Sequence, residues 1–148
     1  MAIWQVPFTL EQLHERSLGT MSDLLGIRFA GFGDDWITAT MPVDHRTKQP
    51  MGILHGGASV VLAETLGSLA ANLCIDPLRY GCVGQEINAN HLRPVSAGIV
   101  TATARPIHLG KRSHVWQIEI RDERERLACI SRLTMAVVER TTGDRSLL

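Results

Sequence analysis

The run LHGGASVVLAETLGSLAANLC, Leu54 to Cys74, limits what this chain can fold into. Between Gly56 and Cys74 its apolar residues, among them Val60, Val61, Leu62, Ala63, Leu66, Leu69, Ala70 and Ala71, go round every side of a helix instead of forming one stripe. A helix apolar on all sides is normally covered on all sides. The chain has 148 residues, the size of one ordinary domain, and residues 1–148 read as a single unit whose core needs no metal or disulfide support. Strands curved around the helix would supply the cover and leave only part of it for a partner subunit.

The rest of the sequence offers those strands. GIRFAGFG and WITATMPV, rich in β-branched and aromatic residues, flank a hairpin turn at Gly33, Asp34 and Asp35. After Asp76-Pro77 ends the helical pattern, four more β-like runs follow: YGCVGQEINANHL, GIVTATARPIHL, SHVWQIEIRD and LACISRLTMAVV. The breaks RPVSAG, GKR and DERER are short and polar, which suits antiparallel strands joined by tight connections. Thr9-Leu10-Glu11-Gln12 has the capping-box form and predicts a short helix, and a second turn is expected from Thr20. Asp44 to Gly52 reads as a loop delivering the chain to the long helix, and ERTTGDRSLL as a frayed polar tail. The fold class is therefore α+β, an antiparallel sheet of about six strands covered by one major helix.

Charge and cysteine content narrow the function. With 15 basic and 15 acidic residues there is no basic excess of the kind nucleic-acid or membrane-surface binders carry. Cys74, Cys82 and Cys129 are odd in number and lack a CxxC pair, so they suggest reduced thiols in a cytoplasmic protein, not a disulfide framework or a zinc site. MAIWQVPFTLEQLHERS lacks the basic start and unbroken apolar stretch of a signal peptide. No run reaches the roughly 18 uncharged apolar residues of a membrane span.

Glu64 is the one charged residue of the helix run. A carboxylate buried there without a partner would cost on the order of several kcal/mol. Gly67 and Ser68, three and four residues on, leave a gap and a hydroxyl on the same face, which reads as a small cleft with a base at its floor. For a lone helical Glu the commoner alternative is a place at the solvent edge. His55-Gly56-Gly57 opens the helix, where free backbone amides and the helix dipole favour an oxyanion. Glu64 lies eight residues beyond Gly56, about 12 Å along the axis, too far for both to act on one carbonyl within one subunit. Two helices side by side in a symmetric dimer close that distance.

With QPMGILHGGASVVLAETLGS leading into the helix, and with LLGIRF, MPVDHRTKQP, NANHLRPVSAG and HLGKRSHVW around it, the sequence resembles the hotdog-fold acyl-CoA thioesterases over nearly its whole length. It looks closest to the branch that holds 1,4-dihydroxy-2-naphthoyl-CoA hydrolase, the proofreading thioesterase of enterobactin synthesis and the Glu-dependent 4-hydroxybenzoyl-CoA thioesterases. The resemblance implies a sheet wrapped around one helix and hydrolysis of an acyl-CoA, with an aryl-CoA favoured, to free acid and thiol. It makes Glu64 the carboxylate, as nucleophile or as general base, and the Gly56 amide the group that polarises the thioester carbonyl. His55 and Gln49 would assist, Ser68 would position water or the intermediate, and Gln49, His55 and Gly56 would come from the subunit opposite Glu64. His91, Arg93, Lys111, Arg112 and Ser113 are the implied contacts to coenzyme A, and Val83 and Gly84 the implied acyl-pocket lining. A homodimer is required by this arrangement, and a homotetramer is implied by analogy.

No metal or cofactor is expected, coenzyme A being part of the substrate, and no nucleic acid or membrane partner. The six histidines form no HExxH or Cys/His cluster, and His108 and His114 are expected on a hairpin or at the surface. Gly110-Lys111 lacks the upstream glycine of a P-loop. Cys82 is expected to be a buried inert thiol. Trp4 and Trp36 fit either an acyl pocket or a subunit contact. The rival readings are a hotdog hydratase or dehydratase, which would act on enoyl-CoA, and a non-catalytic acyl-CoA-binding module, which would bind without releasing thiol.

Overall fold

A computed structural model describes residues 1–141. The expected frayed tail falls, from residue 142 onward, outside the described residues. The order is α1 (Leu10–Ser17), α2 (Met21–Leu24), β1 (Arg28–Phe32), β2 (Ile37–Pro42), α3 (Gly56–Leu73), β3 (Tyr80–His91), β4 (Ile99–Leu109), β5 (Ser113–Arg121) and β6 (Leu127–Glu139). The capping box at Thr9 is complete: the Gln12 amide donates to Thr9 Oγ1 at 3.2 Å and the Thr9 amide to Gln12 Oε1 at 3.0 Å. The Gly33 amide donates to the Trp36 carbonyl at 2.9 Å, closing the first hairpin. Trp4 donates its indole N–H to the Gly33 carbonyl at 2.7 Å and stacks on Trp116 with centroids 6.5 Å apart, so it seals this end of the core.

The strands form one six-stranded antiparallel sheet in the order β1-β2-β4-β5-β6-β3. Strict alternation along β5 turns His114, Trp116, Ile118 and Ile120 inward onto α3. α3 packs against β2, β3, β4, β5 and β6, with Leu62, Ala63, Leu66 and Ala70 fully buried. This is the hotdog arrangement, a sheet curved around one helix.

Two expectations are corrected. RPVSAG is no tight connection: β3 pairs with β6 at the sheet edge and β4 with β2 and β5, so residues 92–98 carry the chain across the molecule. The crossing is tied down where the Leu54 amide donates to the Val95 carbonyl at 2.7 Å and the Val43 amide to the Gly98 carbonyl at 2.8 Å. Sequence patterns mark strands well but leave pairing order open, because order depends on non-local contacts. The second correction concerns Gly67. It does not open a cleft beside Glu64 but lets the helix approach the sheet, since a Cβ there would come within 2.7 Å of Leu133 Cδ2.

The cover around α3 is also incomplete. Val60, Glu64 and Ser68, four residues apart and therefore on one stripe, are only half-buried in the single chain.

Candidate functional site

The predicted residues gather in two places. The first is the start of α3. The loop before it is held by Thr47, 1% exposed, whose hydroxyl donates to the Pro42 carbonyl at 2.7 Å while its carbonyl receives the His55 amide at 2.8 Å. Asp44 anchors the same loop. Arg46 donates to it at 2.8 Å, and that side-chain bond, followed by the bond from the Arg46 amide, lowers the Asp44 carboxyl to about 2.

Gln49 closes a turn with Gly52: the Gly52 amide donates to the Gln49 carbonyl at 2.9 Å, and Gly52 takes the φ of 79° that the turn needs. The Gln49 side-chain oxygen accepts from the Met51 amide, which leaves its NH2 group as a donor for a ligand. His55 is the N-cap of α3, its Nδ1 accepting from the Gly57 amide at 2.8 Å. That bond places the imidazole proton on Nε2. The Gly56 amide, first of the helix, has no acceptor among the described residues. His91, at the end of β3, lies against Gly56 so closely that a Cβ there would come within 2.8 Å of His91 Nε2. Gln49, Gly56, His91 and Arg93 line one cavity of about 360 Å³ at this end of the helix.

The second place is the middle of α3. The Glu64 carboxylate presses on the Cα of Gly84, where any Cβ would overlap its Oε1. It receives no hydrogen bond and makes no ion pair among the described residues. Val83 and Gly84 are exposed on edge strand β3, just before its register shifts between Gly84 and Glu86. Ser68 stands one turn after Glu64 and is half-buried. The β4–β5 hairpin carries Lys111, Arg112 and Ser113; Ser113 lies opposite Ala136, which lies opposite Val83, so the hairpin start is two strands from the Glu64 side. Lys111 turns instead to a cavity at the C-terminal end of α3.

Asn72 registers the helix against the strand that carries Gly84, and no sequence signal beyond an amide in an apolar helix marks it. Its Nδ2 donates to the Ser68 carbonyl at 2.9 Å and to the Cys82 carbonyl at 3.0 Å, and its Oδ1 accepts from the Cys82 amide at 2.9 Å. Cys74, Cys82 and Cys129 are free and buried, and burial pushes Cys74 and Cys82 up to about 12, so neither is a nucleophile. His114 is not at the surface: it is 3% exposed and faces the core, whereas His108 is exposed. Among the described residues no cluster of His, Cys, Asp or Glu could hold a metal, and no helix is long and apolar enough to cross a membrane.

A free amide at a helix start and a carboxylate lodged against glycine are elements of acyl-transfer chemistry, and the relatives of the chain agree. The 1,4-dihydroxy-2-naphthoyl-CoA hydrolase of Escherichia coli is 55% identical over 136 residues, covering 92% of this chain and 99% of that one. A proofreading thioesterase of Cronobacter turicensis is 51% identical over 138 residues, covering 92% and 98%. A crystal structure of a thioesterase from Haemophilus influenzae superposes with a TM-score of 0.93 at 53% identity over 97% of this chain and 99% of that one. Residues 51–129, which hold α3 and the strands β3 to β5, match the thioesterase superfamily model. The chain belongs to the thioesterase superfamily and is an enzyme of that thioester-hydrolysing class.

Proposed function

We propose that the enzyme hydrolyses an aryl-CoA thioester in a site shared by two copies of the chain, as one domain working in the cytoplasm. The observation that carries the reading is the Glu64 carboxylate, half-buried and without a partner among the described residues, at a place where Gly84 leaves room and the Gly56 amide of the same chain is about two turns away. The partner subunit's Gly56 amide polarises the thioester carbonyl, aided by the NH2 group of Gln49 and the Nε2–H of His55 from the same side. Glu64 either takes a proton from water, whose hydroxide adds to the carbonyl, or adds to the carbonyl itself and is released by water afterwards. In both routes the C–S bond breaks, the acid departs and the proton ends on the leaving thiol. Ser68 holds the water or the intermediate, and Val83 and Gly84 line the acyl side.

The aryl preference is supported by the name of one relative, a hydrolase of a naphthoyl-CoA. His91, Arg93, Arg112 and Ser113, exposed or half-exposed near the two halves, suit the phosphates and pantetheine of coenzyme A. The chemistry is carried by groups of the chain alone. Edge strand β3, unpaired on one side in the single chain, offers the surface for a homodimer, and a homotetramer is a pairing of two such dimers.

The test is thiol release from benzoyl-CoA, a hydroxylated aryl-CoA and aliphatic acyl-CoAs by wild type and Glu64→Gln. Release from the aryl substrates that falls roughly 10³-fold in a variant with unchanged circular dichroism supports the reading. Near-normal turnover in the variant overturns the role of Glu64, and preference for aliphatic substrates overturns the aryl assignment.

A further inference from the structure

An amide that polarises a carbonyl must be held still, and the Gly56 amide has no bond of its own to hold it. Its N–H is without an acceptor among the described residues, and glycine leaves the backbone there free to turn. The restraint comes from its neighbours. Gly57 donates its amide to His55 Nδ1 at 2.8 Å, the His55 carbonyl accepts from the Ala58 and Ser59 amides at 3.0 and 3.2 Å, and the His55 amide donates to the Thr47 carbonyl at 2.8 Å. Of these, only the bond to Thr47 leaves the first turn of the helix.

Thr47 is itself fixed. In the loop from Asp44 to Gly52 it is the one buried residue, at 1% exposure. Its hydroxyl donates to the Pro42 carbonyl at the end of β2 at 2.7 Å and accepts from the Asp44 amide at 3.1 Å, while its own amide donates to the Asp44 carbonyl at 3.0 Å. Both capacities of the hydroxyl are thus used within the loop. Strand β2 is paired on both sides, with β1 and with β4, so it does not move with the loop. The tether therefore runs from the interior of the sheet, through one buried hydroxyl and one carbonyl, to the residue before Gly56.

We infer that Thr47 is a positioning residue for thioester hydrolysis: through the His55 amide it aims the Gly56 N–H at the thioester carbonyl, in the site completed by the partner subunit's Glu64. The inference rests on the shared-site reading proposed above. Thr47 is too deeply buried to touch substrate and acts through the backbone alone. An amide that meets charge developing on the carbonyl oxygen works in the transition state, so a shift in its aim lowers kcat and leaves the binding of substrate as it was.

Two variants isolate the hydroxyl, Thr47→Val, which keeps the branched shape and removes it, and Thr47→Ser, which retains it. Measured on the acyl-CoA that wild type turns over fastest, Thr47→Val is expected to lose roughly tenfold in kcat at unchanged KM, since the amide is displaced and not removed, and Thr47→Ser to stay near wild type. The second readout is complementation. Chains of Thr47→Val and Glu64→Gln are co-expressed with different affinity tags and the mixed dimer is purified through both. It holds one site with both lesions and one with neither, so its turnover rises to about half that of wild type, well above either parent. A Thr47→Val chain that had folded badly could not supply its Glu64 to the intact site. Normal kcat in Thr47→Val, a loss carried by KM, or an equal loss in Thr47→Ser overturns the role of Thr47. Gln49→Ala paired with Glu64→Gln is the control for sharing. If that pair complements and the Thr47 pair does not, the role of Thr47 alone falls; if neither complements, the shared site falls and the service of Thr47 to the partner's Glu64 falls with it.

Discussion

At its N-terminal end α3 begins in two glycines capped by His55 and leaves the Gly56 amide without an acceptor among the described residues, whereas its C-terminal end is buried and pinned to β3 through both backbone groups of Cys82. One helix therefore carries an end that is open to ligand and an end that is fixed to the sheet. The fixed end makes the open end useful. A carboxylate in the middle of a helix keeps its place against Gly84 only if the helix cannot slide or turn on the strand, and Asn72 prevents both, two turns below Glu64. The two ends also differ in what a substitution should disturb, chemistry at one and stability at the other.

After the loss expected at Glu64 itself, the largest effect is expected where the two functions meet. A methyl at Gly84 would overlap Oε1 of Glu64, the movable tip of a side chain, while the strand around Gly84 is exposed and tolerates the added carbon. Gly84→Ala should therefore displace the carboxylate without unfolding the protein, and a shift of about 1 Å costs on the order of 10²-fold in kcat. Thiol release together with thermal melting checks this. A large fall in Tm would mean that Gly84 serves the sheet and not the site.

Next comes a paired measurement of stability. Asn72→Ala leaves the Cys82 amide and carbonyl buried without partners and should lower the unfolding free energy by about 3 kcal/mol. His55→Ala removes only the cap at the open end, worth about 1 kcal/mol. Urea denaturation of both variants tests the contrast directly. Equal losses would show that the two ends are held alike.

Much of this was legible in the residues, and the exceptions share a cause. The capping box, the hairpin at Gly33 and the six strands are local patterns, so Thr9, Gln12 and the alternation along β5 announce them. The isolation of Glu64 in an apolar helix was equally local, and the separation from Gly56 follows from helix geometry alone. What stayed hidden needs two distant segments at once. The pairing of β3 with β6, the contact of Gly67 with Leu133 instead of a cleft, and the clip from Asn72 to Cys82 are all of this kind. His114 lies on the expected hairpin, but its burial was hidden for the same reason, because it is the register of β5 that turns it inward.

The smallest effect concerns that histidine and belongs to the fixed end. Burial is the chief cause that lowers the His114 pKa, with His108 adding to it and a hydrogen bond with Gly110 opposing it. Asp76, Tyr80, Lys111 and Cys74 are the other titratable groups around the cavity at the C-terminal end of α3. In the unfolded chain the same ring takes up a proton near the usual imidazole value, so below about pH 6.5 the unfolded state binds more protons than the folded one. The stability that His114 contributes by staying neutral is thus fully present above that pH and is lost as pH falls from there toward its lowered folded value. Wild type should show a lower urea midpoint at pH 5.0 than at pH 7.5, and His114→Gln, which has no proton to gain, a smaller drop over the same interval. Identical drops would show that the ring takes up its proton equally in the folded and unfolded states, and that the pH dependence of the fixed end arises elsewhere in the chain.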